Sequence, residues 1–280
     1  LMRPGRRWQD GCVADTSNEP AELFDGTAPY YAAYRPGYDG RMFTHVAERL
    51  GLDGTGWALD LGTGTGAVAI PLARMVNSVI AVDPQPGMLA EARALAAADS
   101  VTNIEWRLGE AAQLAGMDLP PLRLVTIGAA FHWMDRAAVA RDLDALIDDG
   151  GAIVLASGGT PGDIAPPPWS DTIREVRVRY LGPERRAGRG TYTHPAERHQ
   201  DVLSRSPFSR IETAHWDRTS DRTADEVAGL QLSYSYSSPR QLGPDAKAFV
   251  NDVRDALLAF DPAGTFEQTI RTEAIIARRL

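Results

Sequence analysis

The chain has 280 residues, 44% hydrophobic and 24% charged, a balance that suits a globule with a sizeable core and contains no apolar run near the roughly 20 residues of a membrane-spanning helix. A net charge of −8 argues against a nucleic-acid partner, which needs a basic face to neutralise phosphates. The single cysteine, Cys12, leaves neither a disulfide framework nor a thiolate metal site.

Residues 1–20 are polar and aperiodic and read as a loose tail. Arg3, Arg6 and Arg7 are followed by no apolar segment, so no secretory signal is expected and the cytoplasm is the expected compartment. Helical patterning starts near Ala21 and runs through Met42 to Leu50, with Phe43, Val46 and Leu50 on one face. Strands and helices then alternate. Trp57 to Leu61 is a buried strand, followed by a helix from Gly66 to Met75 that Pro71 should kink. Ser78 to Val82 is a second strand, followed by a helix from Gly87 to Ala97. Asn103 to Leu108 and Leu122 to Gly128 are the third and fourth strands. A helix from Ala137 to Ile147 should stop at Gly150-Gly151, before a fifth strand from Ala152 to Ala156. This alternation predicts an α/β fold with a doubly wound, mostly parallel sheet.

Beyond Ser157 the character changes. Pro161, Pro166, Pro167 and Pro168 make Gly158 to Trp169 a loop. A helix (Ser170 to Leu181), a polar stretch with Tyr192 and His194, a strand (Arg210 to Trp216), an amphipathic helix near Asp245 to Phe260 and a last strand (Glu273 to Ala277) follow. The arginine-rich stretch from Arg174 to Arg189 reads as a solvated helix face. The expected organisation is one domain over 21–280: a ligand-binding core (21–157), then a substrate cover with two closing strands (158–280).

The first strand leads into Leu59-Asp60-Leu61-Gly62-Thr63-Gly64-Thr65-Gly66, where something must come close to the backbone. In open α/β sheets this turn is where ligands bind. Gly62, Gly64 and Ala67 satisfy the dinucleotide fingerprint, so the loop alone leaves the ligand open; a P-loop is excluded because no Lys-Ser or Lys-Thr follows. Asp83 closes the second strand, where a carboxylate can accept both hydroxyls of a ribose. Asp60 suits a ligand with a cationic amine and would oppose a pyrophosphate. Gly109-Glu110-Ala111 ends the third strand, where an acid can accept from an adenine amino group. Ala129-Ala130-Phe131-His132-Trp133 brings aromatic rings and a histidine to the same sheet edge.

Phe24 to Tyr38 (FDGTAPYYAAYRPGY), Ala58 to Ala73 (ALDLGTGTGAVAIPLA), Ala81 to Leu89 (AVDPQPGML), Leu108 to Leu114 (LGEAAQL) and Ala130 to Asp135 (AFHWMD) together resemble class I S-adenosylmethionine-dependent methyltransferases. The likeness is to the bacterial small-molecule branch, with relatives of trans-aconitate methyltransferase and secondary-metabolite methyltransferases. The resemblance implies a seven-stranded Rossmann-like methyltransferase sheet under a helical cover, with S-adenosylmethionine as cofactor. Gly62, Thr63 and Gly64 would pack on its methionine part and Asp60 would hold its ammonium. Asp83 would take the ribose, Pro84 and Met88 would flank the adenine, and Gly109, Glu110 and Ala111 would read the adenine edge. Tyr30, Arg35 and Phe131 would close on the cofactor, Arg35 at its carboxylate. Glu110 replaces the more usual Asp, and Arg123 the acid that usually starts the fourth strand.

The sulfonium is an activated methyl donor, so alignment is the protein's main task. His132 is the candidate general base if the acceptor must lose a proton; otherwise it is a structural residue beside Phe131. Trp133, His194, Tyr234 and Tyr236 are candidates to line the acceptor pocket, with alternate strand packing as the other account of the two tyrosines. No metal site has suitable spacing. The expected partner is a small-molecule methyl acceptor, methylated at oxygen or nitrogen in bacterial secondary metabolism such as antibiotic biosynthesis; monomer and homodimer stay open. The competing readings are an NAD-dependent oxidoreductase, disfavoured by Asp60 and the lack of a Tyr-x-x-x-Lys pair, and a non-catalytic cofactor-binding protein.

Overall fold

The computed structural model describes residues 24–160, 162–187, 190–191 and 197–280. The expectations for the 1–20 tail, Cys12, Pro161, Tyr192 and His194 lie outside the described residues. Five parallel strands come first: β1 (Trp57–Leu61), β2 (Ser78–Asp83), β3 (Ile104–Leu108), β4 (Leu122–Gly128) and β5 (Ile147–Gly159). Two long strands, β6 (Arg210–Thr223) and β7 (Thr265–Arg278), complete a seven-stranded sheet of order β3-β2-β1-β4-β5-β7-β6. β7 runs antiparallel to both of its neighbours. Central β1 is buried on both faces, as its near-continuous apolar sequence requires. The sheet therefore reverses strand order at β1 and β4, whose carboxyl ends carry the glycine loop and Ala129-Ala130.

One core packs on each sheet face, around Leu59, Leu122 and Phe208 on one side and Met42, Val79 and Leu124 on the other. A third core, around Phe249, Val253 and Phe266, belongs to the cover. The helices of the 158–280 half, the cover, include α6 (Ser170–Leu181), α7 (His199–Leu203), α8 (Ala224–Gln231) and α9 (Ala246–Phe260). No helix among the described residues is long and apolar enough to cross a membrane.

Several expectations need correction. The N-terminal helical run is two helices, α1 (Ala28–Tyr34) and α2 (Gly40–Leu50); Pro36 forces Arg35 into an extended conformation (ψ 131°) and splits them. The helix after the glycine loop is a single turn, α3 (Ala69–Leu72), because Pro71 has no N–H to extend it. The helix before β5 is α5 (Arg136–Asp142) and a 3₁₀ turn. Gly150-Gly151 does not stop it but forms a bulge in β5, where Leu122 pairs with Ile147 and Leu124 already with Ala152. A Cβ on Gly151 would meet Ile147 Cγ2 at 2.6 Å. Between α1 and β2 the remaining boundaries agree to a residue or two, as does α4 (Pro86–Ala98). Tyr234 and Tyr236 lie on a 3₁₀ turn, not on a strand.

Candidate functional site

The glycine loop folds back on its own chain. Gly62 and Thr63 both donate their N–H to Val82 O, at 2.8 and 2.9 Å, and pin the loop to the end of β2. Gly62 has a left-handed φ of 72°, and a Cβ there would lie 2.6 Å from Ala130 Cβ. A Cβ on Gly66 would meet the Trp106 ring at 3.0 Å. Gly64 alone of the three faces open space at that position, and it lines the cavity. Two of the glycines thus make room for the protein's own side chains and one for a ligand.

Asp60 is 1% exposed and directly opposite Thr126 in the strand register. Its Oδ1 accepts from the Thr126 hydroxyl and its Oδ2 from the Thr63 hydroxyl, both at 2.6 Å. Burial nevertheless pushes its pKa up to about 6, with the nearby Asp83 carboxylate adding to the rise and the two hydroxyls opposing it. Asp83 accepts from the N–H of Gly64 at 2.8 Å and of Gln85 at 2.9 Å. Burial raises its pKa as well. The carboxylate thereby fixes the glycine loop while itself lining the cavity.

These residues border a cavity of about 400 Å³, within the size range of small-molecule sites. Of the expected contacts, Gly62, Gly64, Asp83, Pro84, Met88, Gly109, Glu110, Ala111 and Trp133 line it. Asp60 and Thr63, joined by their hydrogen bond, flank the wall residues Leu61 and Gly62 in sequence and are not on the wall themselves. The other expected residues within the described chain are not on its wall. Tyr30 packs against the cover's core, and its neighbour Tyr31 lines the cavity instead. Arg35 donates to Ser233 Oγ at 2.9 Å and Ser233 O at 3.2 Å, away from the cavity. Phe131 is 3% exposed in the core, its ring 5.3 Å from that of His199. Tyr234 and Tyr236 stack on one another, their centroids 5.1 Å apart.

The placement of His132 bears most on the chemistry. Trp133 lines the cavity and His132 does not; its ring lies 4.7 Å from Trp133 and 6.4 Å from His199. The 3₁₀ turn Phe131–Trp133 sends consecutive side chains in different directions. Burial lowers the pKa of His199, as does Arg136, whose Nη1 lies 3.3 Å from its Nδ1.

Sequence reasoning missed Phe24, Tyr31, Gln85 and the α5 wall of Asp135, Ala138 and Asp142. It also missed Ala129, whose φ of 48° is left-handed without being glycine. Phe24 meets Trp133 edge-on at 6.0 Å. The pair Tyr30-Tyr31 signalled an aromatic wall, with the choice between them set by the phase of α1. The cavity wall carries four carboxylates, Asp83, Glu110, Asp135 and Asp142, and among the described residues no Lys, Arg or His. That field favours a cationic ligand. A sulfonium and an ammonium fit it; a pyrophosphate does not. No cluster of three or more potential metal ligands occurs among the described residues.

Residues 58–151 match the family model of a methyltransferase domain. A Dictyostelium discoideum protein named as a methyltransferase is 26% identical over 144 residues, covering 49% of this chain and 49% of the relative. The protein-L-isoaspartate O-methyltransferase of Anaeromyxobacter dehalogenans is 35% identical over 114 residues, covering 40% of this chain and 52% of its own. The chain thus spans about half the length of the curated relatives it matches. In structure, a type II methyltransferase from Anaeromyxobacter dehalogenans superposes with a TM-score of 0.60 at 20% identity, covering 88% of this chain and 98% of that one. The fold is the Rossmann-like fold of methyltransferases. Residues 58–151 thus match a methyltransferase domain, and the sheet around them has the fold of such domains.

Proposed function

We propose that this protein transfers the methyl group of S-adenosylmethionine to an oxygen or nitrogen of a small molecule, with bacterial secondary metabolism as its setting. One observation carries the reading: the cavity at the glycine loop is walled by four carboxylates and, among the described residues, no cationic side chain, with the buried Asp60 next in sequence to the wall residue Leu61. A cofactor bearing a sulfonium and an ammonium matches this field, and a dinucleotide opposes it. The single-turn α3 also offers little helix dipole to a pyrophosphate.

When bound, the cofactor supplies an activated methyl group. The chain's own residues do the rest. Gly64 lets the ligand approach the backbone, Asp60 holds the ammonium, and Asp83 accepts from the ribose hydroxyls while keeping the loop in place. Met88 and Pro84 border the adenine position, and Glu110 its amino edge. Tyr31, Trp133 and Phe24 wall off water, so that transfer depends on alignment. No general base is needed for an acceptor that attacks as a neutral amine, and the displacement of His132 from the cavity wall supports a mechanism without it. The test is release of S-adenosylhomocysteine from S-adenosylmethionine across a panel of small hydroxyl- and amine-bearing acceptors. Acceptor-dependent release is expected; binding of the cofactor with no release for any acceptor would favour a non-catalytic binding protein.

A further inference from the structure

Tyr31 on the cavity wall is the inner end of a column of stacked rings and guanidinium groups. The Arg35 guanidinium lies 4.8 Å from the centroid of the Tyr31 ring and 4.3 Å from that of Tyr234. Tyr234 stacks on Tyr236 with centroids 5.1 Å apart and planes 9° from parallel. Arg185 closes the column, 4.8 Å over the Tyr236 ring. The column therefore crosses from α1 to the turn after α8 and on to the segment after α6, joining the cavity wall to the cover.

Its geometry is fixed at each joint. Besides its two ring faces, Arg35 donates to the hydroxyl and the carbonyl of Ser233. Ser233 is fully buried, and its hydroxyl donates onward to Leu230 O at 2.6 Å. Ser237 does the same to Gln231 O at 2.6 Å. Arg222, near the end of β6, donates to Tyr34 O at 2.8 Å and ties α1 to the sheet edge as well. A guanidinium sandwiched between two aromatic faces, with its fork engaged, cannot swing toward the cavity without losing both stacks.

We propose that Arg35 is a positioning residue, which sets Tyr31 on the cavity wall by clamping α1 to the cover through Tyr234, and that it is not a ligand of the cofactor's carboxylate. This rests on the reading of the cavity as an S-adenosylmethionine site. Its consequence is that the cover and the cofactor cavity are mechanically coupled: whatever shifts Tyr234 also shifts Tyr31.

The test compares two ligands by calorimetry. S-adenosylhomocysteine carries an amino-acid end; 5′-methylthioadenosine has the same adenosine and thioether without it. For Arg35→Met, affinity for both ligands should fall by the same factor, about fivefold to tenfold. Tyr234→Leu should reproduce the loss, and the double variant should lose no more than either alone. Arg35→Lys, which keeps the charge but not the planar fork, should behave like Arg35→Met. A loss confined to S-adenosylhomocysteine, rescued by Lys and absent in Tyr234→Leu, would overturn the proposal and make Arg35 a direct carboxylate ligand. If Arg35→Met fails to fold, as read by circular dichroism, Tyr234→Leu decides from the cover side: equal losses support the clamp, and unchanged affinities overturn it. A wild type that binds neither ligand would overturn the cofactor reading itself, and the clamp with it.

Discussion

Asp60 sits under opposing demands. A carboxylate with two hydroxyl partners and almost no exposure is poorly solvated when ionised, and its pKa of about 6 lies above the ordinary 3.8. Because the folded-state value is raised, the stability this group contributes is complete below about pH 4 and is lost as pH rises through about 6. Above that pH the protein carries a buried negative charge, eased by the two threonine hydroxyls, that a cationic ligand relieves further. Asp60→Asn should therefore raise the thermal midpoint at pH 8, by at most about 3 kcal/mol in stability, give no gain at pH 4, and weaken S-adenosylhomocysteine binding at least tenfold. Melts at both pH values with a titration check this; a lower midpoint at pH 8 would contradict it. In the wild type, affinity for S-adenosylhomocysteine should decline as pH falls through about 6. Asp60, Asp83 and Glu110 stood out in the sequence because each lies at or just past the carboxyl end of a strand, beside the glycine loop or its neighbours. Thr126 was not, because it meets Asp60 from 66 residues away. Nor was the choice between His132 and Trp133, which depends on how a three-residue turn aims consecutive side chains.

At the scale of elements, the cavity depends on how closely α1 approaches α8. Gly229 lies in α8 against Tyr34, and a Cβ there would come within 2.4 Å of the ring. Replacing it with Ala would gain helix propensity of about 1 kcal/mol, but three ring atoms stand within 2.8 Å of the added carbon, so packing decides the sign. Gly229→Val should lower stability by about 1–3 kcal/mol and weaken S-adenosylhomocysteine binding by displacing α1 and Tyr31. Denaturant unfolding and calorimetry check both effects; unchanged binding would show that α1 does not shape the cavity. Periodicity located most of these elements but misjudged those governed by proline and glycine. Pro36 breaks a run whose hydrophobic spacing is otherwise helical, and Gly150-Gly151 serves a bulge as readily as a helix stop. β6 and β7 are longer than their apolar segments because half of β6's side chains face water along an edge, where Arg271 of β7 pairs with Asp217 and Asp163.

For the molecule as a whole, strand order decides where the ligand goes. Alternating strands and helices sufficed to predict a doubly wound sheet and its switch point. The insertion of antiparallel β7 between β5 and β6 was not readable from local pattern, since it pairs residues as far apart as Ala152 and Arg278. A third core, around Phe249, Val253 and Phe266, forms within the 158–280 half of the chain. The central claim is that this cavity takes S-adenosylmethionine and its product, and not a dinucleotide. The measurement that tests it most directly is a calorimetric titration of the protein with S-adenosylhomocysteine, with NADH run in parallel. Micromolar binding of S-adenosylhomocysteine and no heat from NADH is the predicted result; binding of NADH, or silence toward S-adenosylhomocysteine, would contradict it.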